Sequence, residues 1–360
     1  MTPGKLLIRA DASPETGTGH VMRCLALAQA WQDAGGEATF LMAECTPSVR
    51  ARLFAENCNV VLFSAVPGSN EDSDLTNEYA ARIKAEWVVV DGYAFDAGYP
   101  ERLWSRERRL LCVDDAGKCD RYVADVVLNQ NLTASENTYH CCGPSTQLLL
   151  GPSFCLLRRE FTPWRNWQRQ IVPRGCNVLV TLGGSTPVEA GVRVMESLSR
   201  AKGEGLHAVF VAGGSSPDIA ALEICAAKFH EKISIRRDVV NMADLMAQAD
   251  VAISAAGSTC WELCLLGLPS ILLDVADNQI PIAIEMERRG YAIYAGHGNT
   301  ISTNKLTKAI ENLLVSPNIR ESMSHRGRQL VDGLGAERVV SAMRGTVCEA
   351  LSADARSATA

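Results

Sequence analysis

The chain has 360 residues, of which 47% are hydrophobic and only 6% aromatic, and its formal net charge is −6. This length predicts two domains, and an acidic chain without a long basic cluster argues against nucleic-acid binding. The sequence has no membrane-length apolar run and no signal peptide, so we expect a cytoplasmic protein. Its 13 cysteines include no CxxC pair, so we expect reduced thiols, with neither disulfides nor a metal site.

The first half of the chain alternates strand-like and helix-like segments. Apolar runs rich in β-branched residues predict strands, and apolar residues three or four positions apart predict helices. The predicted strands lie near residues 5–11, 37–43, 86–93, 109–117 and 124–132, and the predicted helices near 19–36, 47–58, 75–85 and 100–108. This β-α-β rhythm indicates a parallel sheet with helices on both faces.

The rhythm breaks at residues 151–175, where three prolines, several aromatic residues and a basic bias occur together. Alternation then resumes to about residue 290 and ends with two predicted helices, at 303–315 and 317–347. We therefore predict an α/β protein with two Rossmann-like, doubly wound domains facing each other across a cleft. The predicted parts are an N-terminal domain at 1–155, a linker at 156–174, a C-terminal domain at 175–350 and a disordered tail at 351–360.

Four glycine-containing loops follow predicted strands and precede predicted helices. In open α/β sheets ligands bind at such places, because helix N-termini present backbone N–H groups to anions. An NAD site is disfavoured at the first loop, since Met22 stands where the dinucleotide fingerprint requires its third glycine. The loops are Gly17–His20, Gly183–Ser185, Gly213–Ser216 and Gly257–Thr259.

The fourth loop has the richest chemistry. Gly257, Ser258 and Thr259 offer donors to a diphosphate, and the carboxylate of Glu262 can accept hydrogen bonds from a ribose diol. The alternative is structural, with Ser258 or Thr259 capping the helix and Glu262 complementing its dipole.

Motifs in both halves resemble those of a known family. The stretches "IRADASPETGTGHVMRCLALA", "VVVDGY", "CVDDAG", "DVVLNQN", "GPSFCLLRREF" and "VTLGG" are similar to the UDP-2,4-diacetamido-2,4,6-trideoxy-β-L-altropyranose hydrolases of pseudaminic acid biosynthesis. The loop at 257–262, with the later "GLP" and "DNQ", resembles the UDP-sugar half of GT-B proteins such as the peptidoglycan N-acetylglucosamine transferase.

This resemblance implies a GT-B fold and hydrolytic release of UDP by cleavage of the anomeric C1–O bond. It implies that His20 of the "GTGH" motif is the general base and that the loop at 257–262 contacts the uridine and the diphosphate. It further implies substrate contacts by Arg158 and Tyr93. Gly17, Gly19 and Gly183 belong to the same glycine loops, and Asn278 and Gln279 begin a helix on the expected nucleotide side, so we include them among the binding residues.

Chemical reasoning explains why a histidine is needed at this loop. Attack on C1 of a nucleotide sugar requires a water that loses a proton, and a neutral imidazole can accept it near neutral pH. A helix N-terminus disfavours the imidazolium form. The alternative is that His20 only caps its helix or packs in the turn.

Several acidic residues near strand ends have open roles. Asp11 either orients His20 or forms an Asx turn, and Asp91 lies at the cleft side, where the sugar should bind. Asp114 and Asp115 form either an acid–base pair or a turn cap. Asp72 and Asp74 lie in a stretch interpreted as a solvated acidic loop, so we expect metal independence.

Together with this resemblance, the residues lead us to expect a cytoplasmic hydrolase that acts on a small-molecule UDP-sugar, with no cofactor, no nucleic-acid or membrane partner, and a monomeric or weakly dimeric state. A GT-B glycosyltransferase is the alternative. A non-catalytic UDP-sugar-binding protein is a third possibility.

Overall fold

A computed structural model describes residues 3–345, except residues 116, 118–121, 140, 141, 144, 215, 217 and 238. The described residues form two fully parallel sheets, one of seven strands and one of six. We call the parts of the molecule around these sheets the first lobe and the second lobe. The predicted tail at 351–360 lies outside the described residues.

The first lobe alternates strands with helices. In chain order its elements are β1 Lys5–Ala10, α1 Gly19–Asp33, β2 Glu37–Met42, α2 Pro47–Ala55, β3 Asn59–Leu62, α3 Asn70–Ile83, β4 Ala85–Asp91, α4 Gly98–Leu103, β5 Arg109–Val113, β6 Val126–Asn129 and β7 Gln147–Leu150. Their order in the sheet is β3-β2-β1-β4-β5-β6-β7. Residues 6–10 of β1 and 87–91 of β4 are buried. They are apolar except for Arg9 and Asp91, because helices cover both faces of a parallel sheet.

The second lobe repeats this arrangement. Its elements are β8 Asn177–Thr181, α5 Val188–Arg200, β9 His207–Ala212, α6 Ile219–Ala227, β10 Ile233–Arg237, α7 Met242–Gln248, β11 Val251–Ala255, α8 Thr259–Leu265, β12 Ser270–Asp274, α9 Ile280–Arg288, β13 Ile293–His297, α10 Thr303–Val315 and α11 Pro317–Leu330, and a last helix, α12 Gly335–Met343, follows them. The sheet order is β10-β9-β8-β11-β12-β13.

The last helix crosses back to the first lobe. Ala336, Val339, Val340 and Met343 of α12 share an apolar cluster with residues of α1 and β1. From the sequence, we assigned these residues to the C-terminal domain and predicted one helix at 317–347. The structure has two helices instead, because the helical conformation is interrupted between α11 and α12 at Gly333, whose φ is +80°. A positive φ does not fit a continuing helix.

The strand order fixes where a ligand can bind. β1 lies between β2 and β4, and β8 lies between β9 and β11. The strand order of each sheet therefore changes direction beside its first strand, which is β1 in one sheet and β8 in the other. Crevices form at such switch points, beyond the carboxyl ends of the strands. The loops after β1 and β8 therefore face a common cleft, where the Ser185 hydroxyl donates a hydrogen bond to the carbonyl of Pro14.

Candidate active site

The carboxyl ends of both sheets enclose a cleft of about 1300 Å³. Both lobes contribute to its walls. Most of the residues predicted for the site line this cleft, namely Gly17, Gly19, His20, Tyr93, Arg158, Gly183, Gly257, Ser258, Thr259, Glu262, Asn278 and Gln279.

His20 lies at the second position of α1 with one ring nitrogen held from below. Its Nδ1 lies 2.7 Å from Oδ1 of Asp91, the last residue of β4. Asp91 is fully buried, and the charges of Arg23 and His20 hold the pKa of its carboxyl well below the usual range although burial alone would raise it. An ionised carboxylate only accepts hydrogen bonds, so Nδ1 carries the proton and Nε2 is the basic nitrogen available to the cleft.

Arg23 lies one helical turn after His20 and completes a buried charge cluster. Its Nε and Nη2 donate to the two oxygens of Asp91 at 2.7 and 2.6 Å, and its Nη1 donates to Asp115 at 2.8 Å. These two carboxylates raise the pKa of Arg23 although its burial alone would lower it. Asp91 is therefore shared between His20 and a permanent cation.

Tyr93 connects the histidine to the opposite lobe. Its ring packs edge-on against the imidazole of His20 with centroids 4.5 Å apart, and its hydroxyl accepts a 2.6 Å hydrogen bond from Nδ2 of Asn278. Burial and the charge of Asp115 raise the pKa of Tyr93 to about 12. The phenol is therefore neutral at physiological pH and can donate a hydrogen bond into the cleft.

The glycine loops at 17–20 and 183–185 approach each other closely. A Cβ added at Gly184 would lie 1.9 Å from the hydroxyl oxygen of Thr18, a distance that no real side chain can adopt. Gly17, two residues before the start of α1, has a φ of +74°, a conformation that favours glycine. The absence of a side chain at these glycines thus lets the two loops, and with them the two lobes, come into contact beside His20.

A carboxylate from the second lobe meets the interdomain segment. Glu262 is buried on α8, and its Oε1 lies 3.0 Å from Nη1 of Arg158. Burial raises the pKa of Glu262, because the opposing charge of Arg158 offsets only part of the desolvation. Arg158 also contacts Glu160, which accepts a hydrogen bond from the backbone N–H of Met242 at the start of α7.

The hydroxyl of Ser258, in the loop before α8, does not cap that helix. Ser258 occupies the N-cap position, but its side chain makes no cap hydrogen bond, so the capping alternative for Ser258 is not what the structure has. Gln279 accepts a hydrogen bond from the N–H of Val275 through Oε1 at 2.9 Å, which directs its amide nitrogen elsewhere.

Some predicted residues have other positions. Asp11 neither lines the cleft nor contacts His20; it pairs with Arg9 at 2.7 Å and accepts hydrogen bonds from the N–H groups of residues 43 and 44. The expectation that Asp11 orients His20 or forms an Asx turn is wrong, and Asp91 makes the contact to the imidazole. Asp91 itself lies beneath His20 and does not line the cleft.

The other uncertain carboxylates separate into distinct roles. Asp114 accepts a hydrogen bond from the N–H of Gly117 and so caps a turn, whereas Asp115 lines the cleft and binds Arg23. Asp72 was interpreted as part of a solvated loop, but it is fully buried in α3 and pairs with Arg9 at 2.8 Å. The prediction of a loop there is therefore wrong.

Sequence reasoning missed several polar residues of the cleft wall, among them Arg52, Gln130 and Asn131. Arg52 of α2 reaches across to the carbonyl of Val240 at 2.6 Å, and the consecutive amides Gln130 and Asn131 line the cleft after β6. The last two belong to the quoted motif "DVVLNQN" and to the carboxyl end of a predicted strand, and that position was a signal available from the sequence.

Comparison with known proteins supports the predicted fold. Residues 177–336 match the glycosyltransferase family 28 C-terminal domain. Among solved structures, Acinetobacter baumannii MurG superposes with a TM-score of 0.67 at 17% identity, covering 96% of this chain and 100% of that one. An S. aureus MnaA–UDP structure gives 0.65 at 13% identity, covering 95% and 96%. The predicted GT-B fold is confirmed.

Curated relatives extend over most of the chain. A spore coat polysaccharide biosynthesis protein of Bacillus subtilis is 25% identical over 94% of this chain and 97% of its own length. The UDP-2,4-diacetamido-2,4,6-trideoxy-β-L-altropyranose hydrolase of Campylobacter jejuni is 26% identical over 80% of this chain and 98% of its own. The resemblance to this hydrolase is confirmed, and these matches support an enzyme. Within the described part of the chain, no helix has both the length and the apolar character of a membrane span.

Proposed function

We propose that this chain is a hydrolase that releases UDP from UDP-2,4-diacetamido-2,4,6-trideoxy-β-L-altropyranose, as in pseudaminic acid biosynthesis. The observation that carries this proposal is the pair of His20 and Asp91. Their 2.7 Å contact uses Nδ1 of the imidazole and leaves Nε2 available in the cleft between the two lobes. The similarity to the named hydrolase of Campylobacter jejuni supports the choice of substrate.

The reaction needs a single displacement. Nε2 of His20 takes a proton from water as the water oxygen bonds to C1 of the sugar, and the bond from C1 to the phosphate oxygen breaks with its electron pair leaving on UDP. Water attacks opposite the departing nucleotide, so the configuration at C1 inverts. The charge that develops on UDP is stabilised by backbone N–H groups of the loops at 183–185 and 257–259, the second of which opens α8.

The nucleotide is assigned to the second lobe. Glu262 accepts the hydroxyls of the ribose, and Arg158 holds this carboxylate at 3.0 Å. Gly183, Gly257, Ser258 and Thr259 surround the diphosphate. The sugar lies in the cleft against the surface that His20, Tyr93 and Asn278 form together, since Tyr93 contacts both of the other residues. No cofactor is required in this scheme.

Proton NMR of the UDP-sugar with the protein tests the proposal. The first product should be the free sugar with inverted anomeric configuration, formed without any acceptor, and His20→Ala should abolish turnover while leaving UDP affinity within about threefold. Retention of configuration, or full turnover by His20→Ala, would contradict it.

A glycosyltransferase is the second candidate, because residues 177–336 match a glycosyltransferase domain. In that case an acceptor hydroxyl would replace water beside His20. Slow UDP release without acceptor, accelerated by an added acceptor, would favour the transferase.

A further inference from the structure

Two consecutive amide side chains form part of the cleft wall on the side of His20. Gln130 and Asn131 directly follow β6 and line the cleft, although they are only 1% and 4% exposed. Buried amides normally have their hydrogen-bonding groups satisfied. The atoms that remain without partners therefore indicate what a ligand would supply.

The amide of Gln130 has a fixed orientation. Its Oε1 accepts a 3.0 Å hydrogen bond from the backbone N–H of Leu156. A backbone N–H can only donate, so the oxygen must occupy this position and Nε2 must occupy the other. Among the residues that the structure describes, no group accepts a hydrogen bond from this Nε2, which leaves two donors at the cleft wall.

The amide of Asn131 is fixed in the opposite sense. Its Nδ2 donates to Oδ1 of Asp115 at 2.9 Å, and Asp115 forms an ion pair with Arg23. A carboxylate can only accept, so Oδ1 of Asn131 is the free end of this side chain. Over the described ranges of the chain, this oxygen has no hydrogen-bond donor.

We propose that Gln130 and Asn131 form the subsite that recognises an acylamino substituent of the sugar. Gln130 Nε2 donates to the acyl carbonyl, and Asn131 Oδ1 accepts from the amide N–H. This inference rests on the proposed function. Asn131 connects through Asp115 and Arg23 to His20, so recognition of the substituent is coupled to the position of the base.

The test uses Gln130→Glu, which keeps an oxygen for Leu156 and replaces only the free donor by an acceptor. Turnover is measured with the diacetamido substrate and with two analogues that each carry a hydroxyl in place of one acetamido group. Gln147→Glu, an exposed position at the start of β7, introduces the same charge in the same lobe and serves as the control.

We expect the wild type and Gln147→Glu to prefer the diacetamido substrate over one analogue by about tenfold or more in kcat/KM. Gln130→Glu should reduce that preference to within about threefold while leaving UDP affinity unchanged. An unaltered preference for the diacetamido substrate over both analogues, or an equal loss of activity with all three, would overturn the assignment.

The same comparison is made by calorimetry in the His20→Ala background, where no turnover is needed. If the wild type releases no UDP, the hydrolase proposal fails, yet the affinities still decide the subsite. A preference that Gln130→Glu removes supports it, and a preference that persists or never existed refutes it.

Discussion

Replacing Asp91 by asparagine tests the central contact of the site. This substitution removes the negative charge beside Nδ1 of His20 while preserving the shape of the side chain. Asp91 Oδ1 lies 2.7 Å from Nδ1, so the charges of the carboxylate and of the imidazolium formed during the reaction are about 4 Å apart. At an effective dielectric constant of about 20, such a pair is worth about 4 kcal/mol.

That energy converts to about three orders of magnitude in rate, since each 1.36 kcal/mol corresponds to a factor of ten. We therefore expect Asp91→Asn to lower kcat about 10³-fold, with UDP affinity almost unchanged because the nucleotide is assigned to the other lobe. The assay is UDP release under single-turnover conditions, combined with calorimetry for UDP.

Asp72→Asn provides a matched control. Asp72 is also a fully buried carboxylate paired with a buried arginine, Arg9, but it does not line the cleft. Both variants should unfold at lower temperature, because each weakens a buried ion pair, whereas only Asp91→Asn should lose kcat. The reasoning is refuted if Asp91→Asn keeps kcat within tenfold of the wild type, or if Asp72→Asn loses as much.

Three further predictions follow from the same contacts. Glu262→Gln should weaken UDP binding at neutral pH. Because burial raises the pKa of Glu262, the affinity of the wild type for UDP should fall as the pH drops towards the ordinary glutamate range. Calorimetry should show a smaller fall in affinity for the variant. Gly184→Ala should raise KM at least tenfold, since the added Cβ would lie 1.9 Å from Thr18 Oγ1, whereas Gly203→Ala, whose Cβ would have only ordinary contacts, should match the wild type in the same assay. Turnover should persist in EDTA, because the scheme places backbone N–H groups of two glycine loops at the diphosphate. Loss of activity that magnesium restores would contradict that assignment.

The sequence predicted the class of fold well but missed elements at the sheet edges. β3 and β7 have four residues each, and both are edge strands that are only partly buried, so they lack the long apolar run of a central strand. The start of α3 was missed for a different reason. Its first turn contains Glu71 and Asp72, which resemble a solvated loop until Ser69 is recognised as its N-cap.

The candidate site was predicted as separate residues and not as a network. The glycine loop indicated His20, and the end of a buried strand indicated Asp91. Their pairing depends on the order of strands in the sheet, which brings the start of α1 next to the end of β4. The roles of Arg23 and Asp115 depend on the same placement, since 92 positions separate the two residues in sequence.

Sharing of Asp91 between His20 and Arg23 has a consequence for catalysis. In a simple pair of histidine and aspartate, the carboxylate would hold the imidazolium strongly and slow the return of its proton to solvent. Here Arg23 makes two hydrogen bonds to Asp91, and its Nη2 lies 3.2 Å from Nδ1 of His20. This fixed cation opposes the charge of the imidazolium, while Asp115 keeps the cation itself compensated. The cluster therefore orients the base firmly, and the imidazolium formed during the reaction meets both an anion, Asp91, and a cation, Arg23, on its Nδ1 side.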